Sequence, residues 1–198
     1  MSDLSAPTLI LIAAMLLNGV WTIPFGVLAS RSFRRHGKLT PALAIWSGVA
    51  MHGHAVMTFA MAWLDRGGLY APNTFYIAIG GFLVLGGAYV IYLGRKAYGD
   101  QTRVYGLKED ELITQGIYRR SRNPQYFGYG IMFLGAAFAS GSGLAFIFVA
   151  VFALMVHAGI TLIEEPHLHR VFGTAYTNYR ITAGRYFKMI HTGSSLRK

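Results

Sequence analysis

The sequence predicts an all-α, polytopic membrane protein with about five transmembrane helices, on three observations. Hydrophobic residues make up 54% of the 198 positions and charged residues only 13%, a balance seldom met in water-soluble domains. Five stretches, residues 8–30, 41–64, 74–94, 125–141 and 143–163, contain no Asp, Glu, Lys or Arg. Each is about as long as a helix needs to cross roughly 30 Å of hydrocarbon, the fourth only barely. Assigning the intervening loops alternately to the two sides gathers all but Arg66 of the 18 Lys and Arg residues on one side. The positive-inside rule then puts the amino terminus outside and the carboxyl terminus in the cytoplasm.

Each element has its own justification. The first span has no basic residue before it and exceeds a signal-peptide core, so it reads as a mature helix. Within it, Asn18 and Pro24 predict a polar inter-helix contact and a kink. The second span carries His52 and His54 and the fifth carries His157, ionisable groups at membrane depth that mark a cavity or a buried partner. Gly80-Gly81 and Gly86-Gly87 in the third span read as close helix packing. Asn123-Pro124 opens the fourth span as an N-cap followed by proline at the first helical position, leaving the positive helix end toward the cytoplasm, where it can hold an anion. Gly141-Ser142-Gly143 has room only for a tight hairpin, so spans four and five pack antiparallel. Pro166 cannot continue the fifth helix without losing a hydrogen bond, which predicts an end or kink near Glu164. A short interfacial helix over 166–172, stopped at Gly173, should follow.

The chain reads as one integral membrane domain, 1–198, with three amino-terminal helices in 1–94 and a hairpin with cytosolic segments in 95–198. Its net charge of +10 is mostly a topology signal, with a secondary pull toward anionic lipid head groups. Basic residues spread over three short juxtamembrane loops argue against nucleic acid as a partner. With no cysteine, disulfides, a thiolate nucleophile and a Cys-type zinc site are excluded. No two histidines pair convincingly with a carboxylate, so no metal is predicted.

The polar chemistry sits at the cytoplasmic flanks of the last two spans, in residues 118–128, 164–170 and 176–185. Cations and a helix N-terminus there suit a carboxylate, while Glu164 and Glu165 suit an ammonium or a ribose diol. Tyr118, Tyr126 and Phe127 suit an adenine ring or a sulfonium. Those are the parts of S-adenosylmethionine. The glycine-rich first turn of a Rossmann-like sheet, which a soluble methyltransferase would need, is not in the chain.

The pattern Leu112-x-Thr114-x-Gly116-x-Tyr118-x3-Arg122-Asn123-Pro124-x-Tyr126-x-Gly128, followed by Glu164-Glu165-x2-Leu168-x3-Phe172-Gly173-x2-Tyr176-x2-Tyr179, resembles the superfamily of isoprenylcysteine carboxyl methyltransferases and phospholipid methyltransferases, integral membrane enzymes. The resemblance covers about 112–186; the first three helices match only in number and hydrophobicity. It implies an S-adenosylmethionine site on the cytosolic side of the last two helices and a lipophilic acceptor arriving from the bilayer, either a prenylcysteine-like carboxylate or a phospholipid head-group amine. The matching positions imply cofactor contacts at Tyr118, Arg122, Asn123, Pro124, Tyr126, Gly128, Glu164, Glu165 and Tyr176. Glu164 and Arg170 are the catalytic candidates, Arg170 to hold an anionic acceptor or the cofactor carboxylate. Two departures stand out: the family usually has His where this chain has Asn123, and often Pro before the terminal basic-aromatic segment, here Ala183-Gly184-Arg185. Asn cannot titrate, so a proton-transfer role at 123 is disfavoured.

Plainer readings stand beside these. Asn123 reads equally as a helix cap, Arg119, Arg120 and Arg122 as topology charges near phosphate, though the motif favours a site role for Arg122, and Glu164-Glu165 as a solvated boundary pair. Two other functions fit the pattern less well. An NADPH-dependent, sterol-reductase-like enzyme would need an acidic residue soon after the motif glycine, but Tyr129-Gly130-Ile131 follows Gly128. A small transporter would thread polar residues through several spans rather than gather them on one face. The expected location is an integral membrane position, the inner membrane of a bacterium or the endoplasmic reticulum of a eukaryote, with the active site facing the cytoplasm. The absence of native cysteine makes this testable: Arg119→Cys and Thr174→Cys should resist an impermeant maleimide added outside intact cells and react after permeabilisation. Labelling before permeabilisation would invert the topology.

Overall fold

The computed structural model describes residues 4–108 and 111–188, which are helical with no strands among them. Helices α1 (Ala6–His36), α2 (Pro41–Leu64), α3 (Thr74–Tyr98), α5 (Pro124–Ser140) and α6 (Gly143–Gly159) occupy the five apolar stretches, and α4 (Gln101–Val104) is a single turn in the loop between α3 and α5. Local chemistry sets the starts. Ser5, Thr40 and Asn73 each accept a backbone N–H of the first turn through the side chain, and proline follows the cap in α1 and α2, an arrangement that satisfies or removes donors a helix start would orphan.

Among the described residues, three helical stretches are long and apolar enough to cross a membrane: α1, α3 and the continuous run Gly143–Thr182. The other two fall short for visible reasons. Helix α2 carries His52 and His54, and α5 has only 17 residues, roughly 26 Å of rise at 1.5 Å per residue. Of the two outcomes Pro166 suggests, an end or a kink near Glu164, the fifth helix does not end there. It widens into a π-helical turn, Ile160–Glu164, in which the Glu165 N–H reaches back to the Ile160 carbonyl, and continues as α7 (Glu165–Thr182). Pro166 removes an N–H and crowds the preceding turn, and the wider turn absorbs both effects without breaking the rod. Gly173 kinks α7 with φ 51° and ψ −122°. The short helix expected over 166–172 is therefore present, but a second stretch follows the kink to Thr182.

The most extensive helix pair is α3 against α5, and glycine makes it so. A Cβ built on Gly87 would lie 2.5 Å from the Gly128 carbonyl oxygen, and one on Gly80 2.5 Å from that of Gly135. Gly94 faces Gln125 in the same seam. The seven-residue spacing keeps small residues on one face of each antiparallel helix, so the backbones touch along their length. Gly81 and Gly86, by contrast, meet nothing within 4 Å. At the far end of the bundle, Gly141 (φ 64°) and Ser142 turn α5 into α6. The Asp65 carboxylate accepts from the Ser142 hydroxyl (2.7 Å) and the Leu144 N–H (2.9 Å), tying the α2–α3 turn to this hairpin.

The seam predicts an asymmetry among the glycines. Gly128→Ala should lower the thermal midpoint of the detergent-solubilised protein by the equivalent of about 1–3 kcal/mol of overpacking. Gly86→Ala, which points at open space, should leave it unchanged or raise it.

Candidate active site

The sequence brings polar groups together by two local devices. The loop after α4 winds through a 3₁₀ turn, Gly116–Arg119, and delivers Tyr118 and Arg122 to the start of α5. The π turn presents Glu164 and Glu165 from the opposite wall. Successive helical residues point about 100° apart, so the two carboxylates diverge. Glu164 accepts a hydrogen bond from the Tyr126 hydroxyl (2.6 Å). Glu165 accepts from Arg122 Nη2 (2.9 Å) and, in a bidentate fork, from Arg185 Nε (2.8 Å) and Nη2 (2.9 Å).

The Arg122–Glu165 pair is almost dry, with side chains 8% and 9% exposed. Burial disfavours the Glu165 carboxylate, but the Arg185 hydrogen bond and the charges of Arg122 and Arg185 outweigh it and hold the carboxyl below its usual range. The same hydrogen bond raises Arg185 above an ordinary guanidinium. Burial, reinforced by the neighbouring Tyr98, pushes the Tyr118 hydroxyl far up, so it stays neutral. Below the pair, the Tyr176 ring lies 6.0 Å from the Arg122 guanidinium carbon, and the Tyr179 hydroxyl donates to the Tyr118 carbonyl (2.7 Å).

These groups line one end of a cavity of about 820 Å³ that reaches between α1, α2, α5 and α6. Tyr118, Arg122, Asn123, Tyr126, Glu164, Glu165 and Tyr176 all border it. Four candidates lie elsewhere. Gly128 faces Gly87 in the α3–α5 seam, Pro124 is buried at the start of α5 outside the lining, and Phe127 packs on Phe187 (5.2 Å between rings). Arg170 is exposed and does not border the cavity, because the helix continues through Pro166 instead of bending back. Asn123 sits at the cap position of α5 but makes no cap bond; its side chain donates instead to the Arg185 carbonyl (3.0 Å).

Arg185, His167 and Gln125 take parts that residue types alone did not assign. Arg185 returns because Arg122 N–H donates to the Gly184 carbonyl (2.8 Å) and Lys188 N–H to the Arg120 carbonyl (2.9 Å), laying the segment after α7 alongside residues 120–122. His167 is buried and stacked on Phe33 of α1 (4.0 Å, 19°). Gln125 donates to the Tyr118 hydroxyl (3.2 Å). The only sequence signal for Arg185 was its place in the terminal basic-aromatic segment. Among the described residues, no three His, Asp or Glu side chains converge in a way that could hold a metal ion.

Of the known proteins, the phospholipid methyltransferase family matches through its family model, over residues 75–175. That span begins in α3 and runs through the kink of α7, so it takes in the glycine seam as well as the carboxylates. No curated protein and no solved structure matches the chain.

The depressed Glu165 carboxyl carries a signed consequence for stability. A carboxyl held below its unfolded value of 4.5 stabilises the fold above that pH and loses the contribution as pH falls through the folded value. Acid denaturation followed by intrinsic fluorescence should therefore steepen below about pH 4.5 in the wild type and lose that component in Glu165→Gln. Glu165→Gln should also be markedly less stable at pH 7, because the two guanidinium groups lose their counter-charge.

Proposed function

Because the chain belongs to the phospholipid methyltransferase family, we propose that this membrane methyltransferase transfers a methyl group from S-adenosylmethionine to a lipid head-group amine. It does so at the cytoplasmic face of a five-span bundle, with a prenylcysteine-like carboxylate as the competing acceptor. The observation that carries the reading is Arg122. Its side chain is 8% exposed and borders the cavity, yet Nε and Nη1 have no hydrogen-bond partner. Buried guanidinium N–H groups are seldom left unmade, and carboxylate oxygens are their natural charge-assisted acceptors.

The other parts of the cofactor also find complements. Glu164, on the cavity wall, suits an ammonium or ribose hydroxyls, and Tyr118 and Tyr176 offer aromatic surface. When bound, S-adenosylmethionine supplies an electrophilic methyl on a sulfonium, a leaving group that needs no acid. The protein's own contribution is alignment in a water-poor cleft, which can supply several kcal/mol. Glu165 acts indirectly: its charge fixes Arg122 and Arg185. For an amine acceptor, one N–H proton must leave as the N–C bond forms and the C–S pair returns to sulfur. In this reading Glu164 receives that proton, with the Tyr126 hydroxyl donating to its Oε1 and fixing its orientation.

Calorimetric titration of the purified protein should show S-adenosylhomocysteine binding and no binding of NADPH; the reverse would favour a reductase. Arg122→Lys keeps the charge but loses the planar fork, so S-adenosylhomocysteine affinity should fall at least about tenfold in a folded variant. Unchanged affinity would remove Arg122 from the cofactor site.

A further inference from the structure

The cavity reaches well beyond the carboxylates, and its deep wall is not apolar throughout. His54 of α2 is 1% exposed and borders the cavity, with Nε2 against the Phe148 carbonyl of α6 (3.2 Å). A carbonyl can only accept, so Nε2 carries the proton and the neutral ring leaves Nδ1 as a bare lone pair. That Nδ1 has no partner. Asn18 of α1 borders the same cavity, and its buried Nδ2 also has none. The two helices pack at this level: Met15 of α1, one turn before Asn18, shares a cluster with Met61 of α2 and Phe148. The deep end thus presents one acceptor lacking a donor and one donor lacking an acceptor, at a depth where lipid tails cannot replace water. Phe148 precedes Glu164 by 16 residues on the same continuous helix, so this pair lies roughly 24 Å along the rod from the carboxylates.

We infer that Asn18 and His54 form a polar station that recognises a hydroxyl group, alcohol or phenol, at the end of the lipophilic acceptor remote from the methylated atom. A hydroxyl is the smallest group that can donate to His54 Nδ1 and accept from Asn18 Nδ2; an unbroken hydrocarbon tail satisfies neither. The station selects among acceptors and takes no part in methyl transfer. Both residues lie outside the 75–175 stretch that matches the family, so the selectivity belongs to α1 and α2, while the cofactor end belongs to the matched half. The inference rests on the methyltransferase reading for which molecule occupies the cavity. Its test does not depend on the cofactor.

Trp21 and Trp46 border the cavity and report binding by fluorescence. With the full-length protein in lipid nanodiscs, alkylamines from decyl to hexadecyl are compared with the same amines carrying a terminal hydroxyl. At the chain length that spans the cavity, the hydroxylated amine should bind at least about tenfold more tightly. That preference should fall to near unity in Asn18→Leu and in His54→Phe, with S-adenosylhomocysteine affinity unchanged in both. Equal binding of the two series to wild type, or a preference that survives Asn18→Leu, would overturn the station and leave the two polar atoms to an ordered water. If His54→Phe fails to fold because the tie to Phe148 is lost, Asn18→Leu decides the matter. Failure of the wild type to bind S-adenosylhomocysteine would count against the methyltransferase reading and leave the hydroxyl comparison intact.

Discussion

One carboxylate, Glu165, joins three segments distant in sequence: the loop that ends at Arg122, the π turn of the fifth helix and the return segment at Arg185. Burying an anion costs several kcal/mol, and two guanidinium groups in good geometry offset it. Remove the carboxylate and two cations face each other in a nearly dry pocket, so the arrangement holds only as a set. Arg122 spends one nitrogen on this clamp and keeps Nε and Nη1 available. The clamp therefore fixes the direction of the Arg122 guanidinium while leaving two of its nitrogens unpartnered.

The clamp depends in turn on where α5 begins, and the glycine seam decides that. Backbone contact between α3 and α5 sets their separation and axial register, which carries Tyr126 to Glu164 and Tyr118 to Tyr98. Bulkier residues at Gly87 or Gly128 would push α5 outward and open the polar end. Gly128, a motif residue, thus packs in the helix seam against Gly87 and not on the cavity wall. Asn123 is similar. Its amide holds the Arg185 carbonyl and stabilises the return segment that completes the clamp.

The cavity divides the molecule by role. At its polar end, Tyr118, Arg122, Asn123, Tyr126, Glu164 and Glu165 come from the stretch that matches the phospholipid methyltransferase family, while Tyr176 and the clamping Arg185 follow it; α1, α2 and α6 close the rest with mixed apolar and polar residues.

Much of this was legible in the residues alone. Charge-free runs marked all five helices, Asn123-Pro124 marked where α5 starts, and the Arg122 and Glu164-Glu165 motifs marked the polar end, because hydropathy, proline placement and motif spacing are local properties. Pairing is not local. Nothing in the order of residues says that Glu165 takes two arginines while Glu164 takes a tyrosine, because a π turn in place of the expected break decides how the two diverge. Arg170 looked closer to the pocket than Arg185 because it is nearer in sequence, yet an unbroken rod carries it away and the backbone ladder beside residues 120–122 brings Arg185 in. Three polar side chains in the spans, Asn18, His54 and His157, could each have been a satisfied contact or a cavity group. Sequence by itself determined that they sit within apolar, charge-free runs; only the tertiary packing decided that His157 pairs with Tyr186 and that the other two border the cavity, because such contacts depend on rotation and register that no single helix encodes.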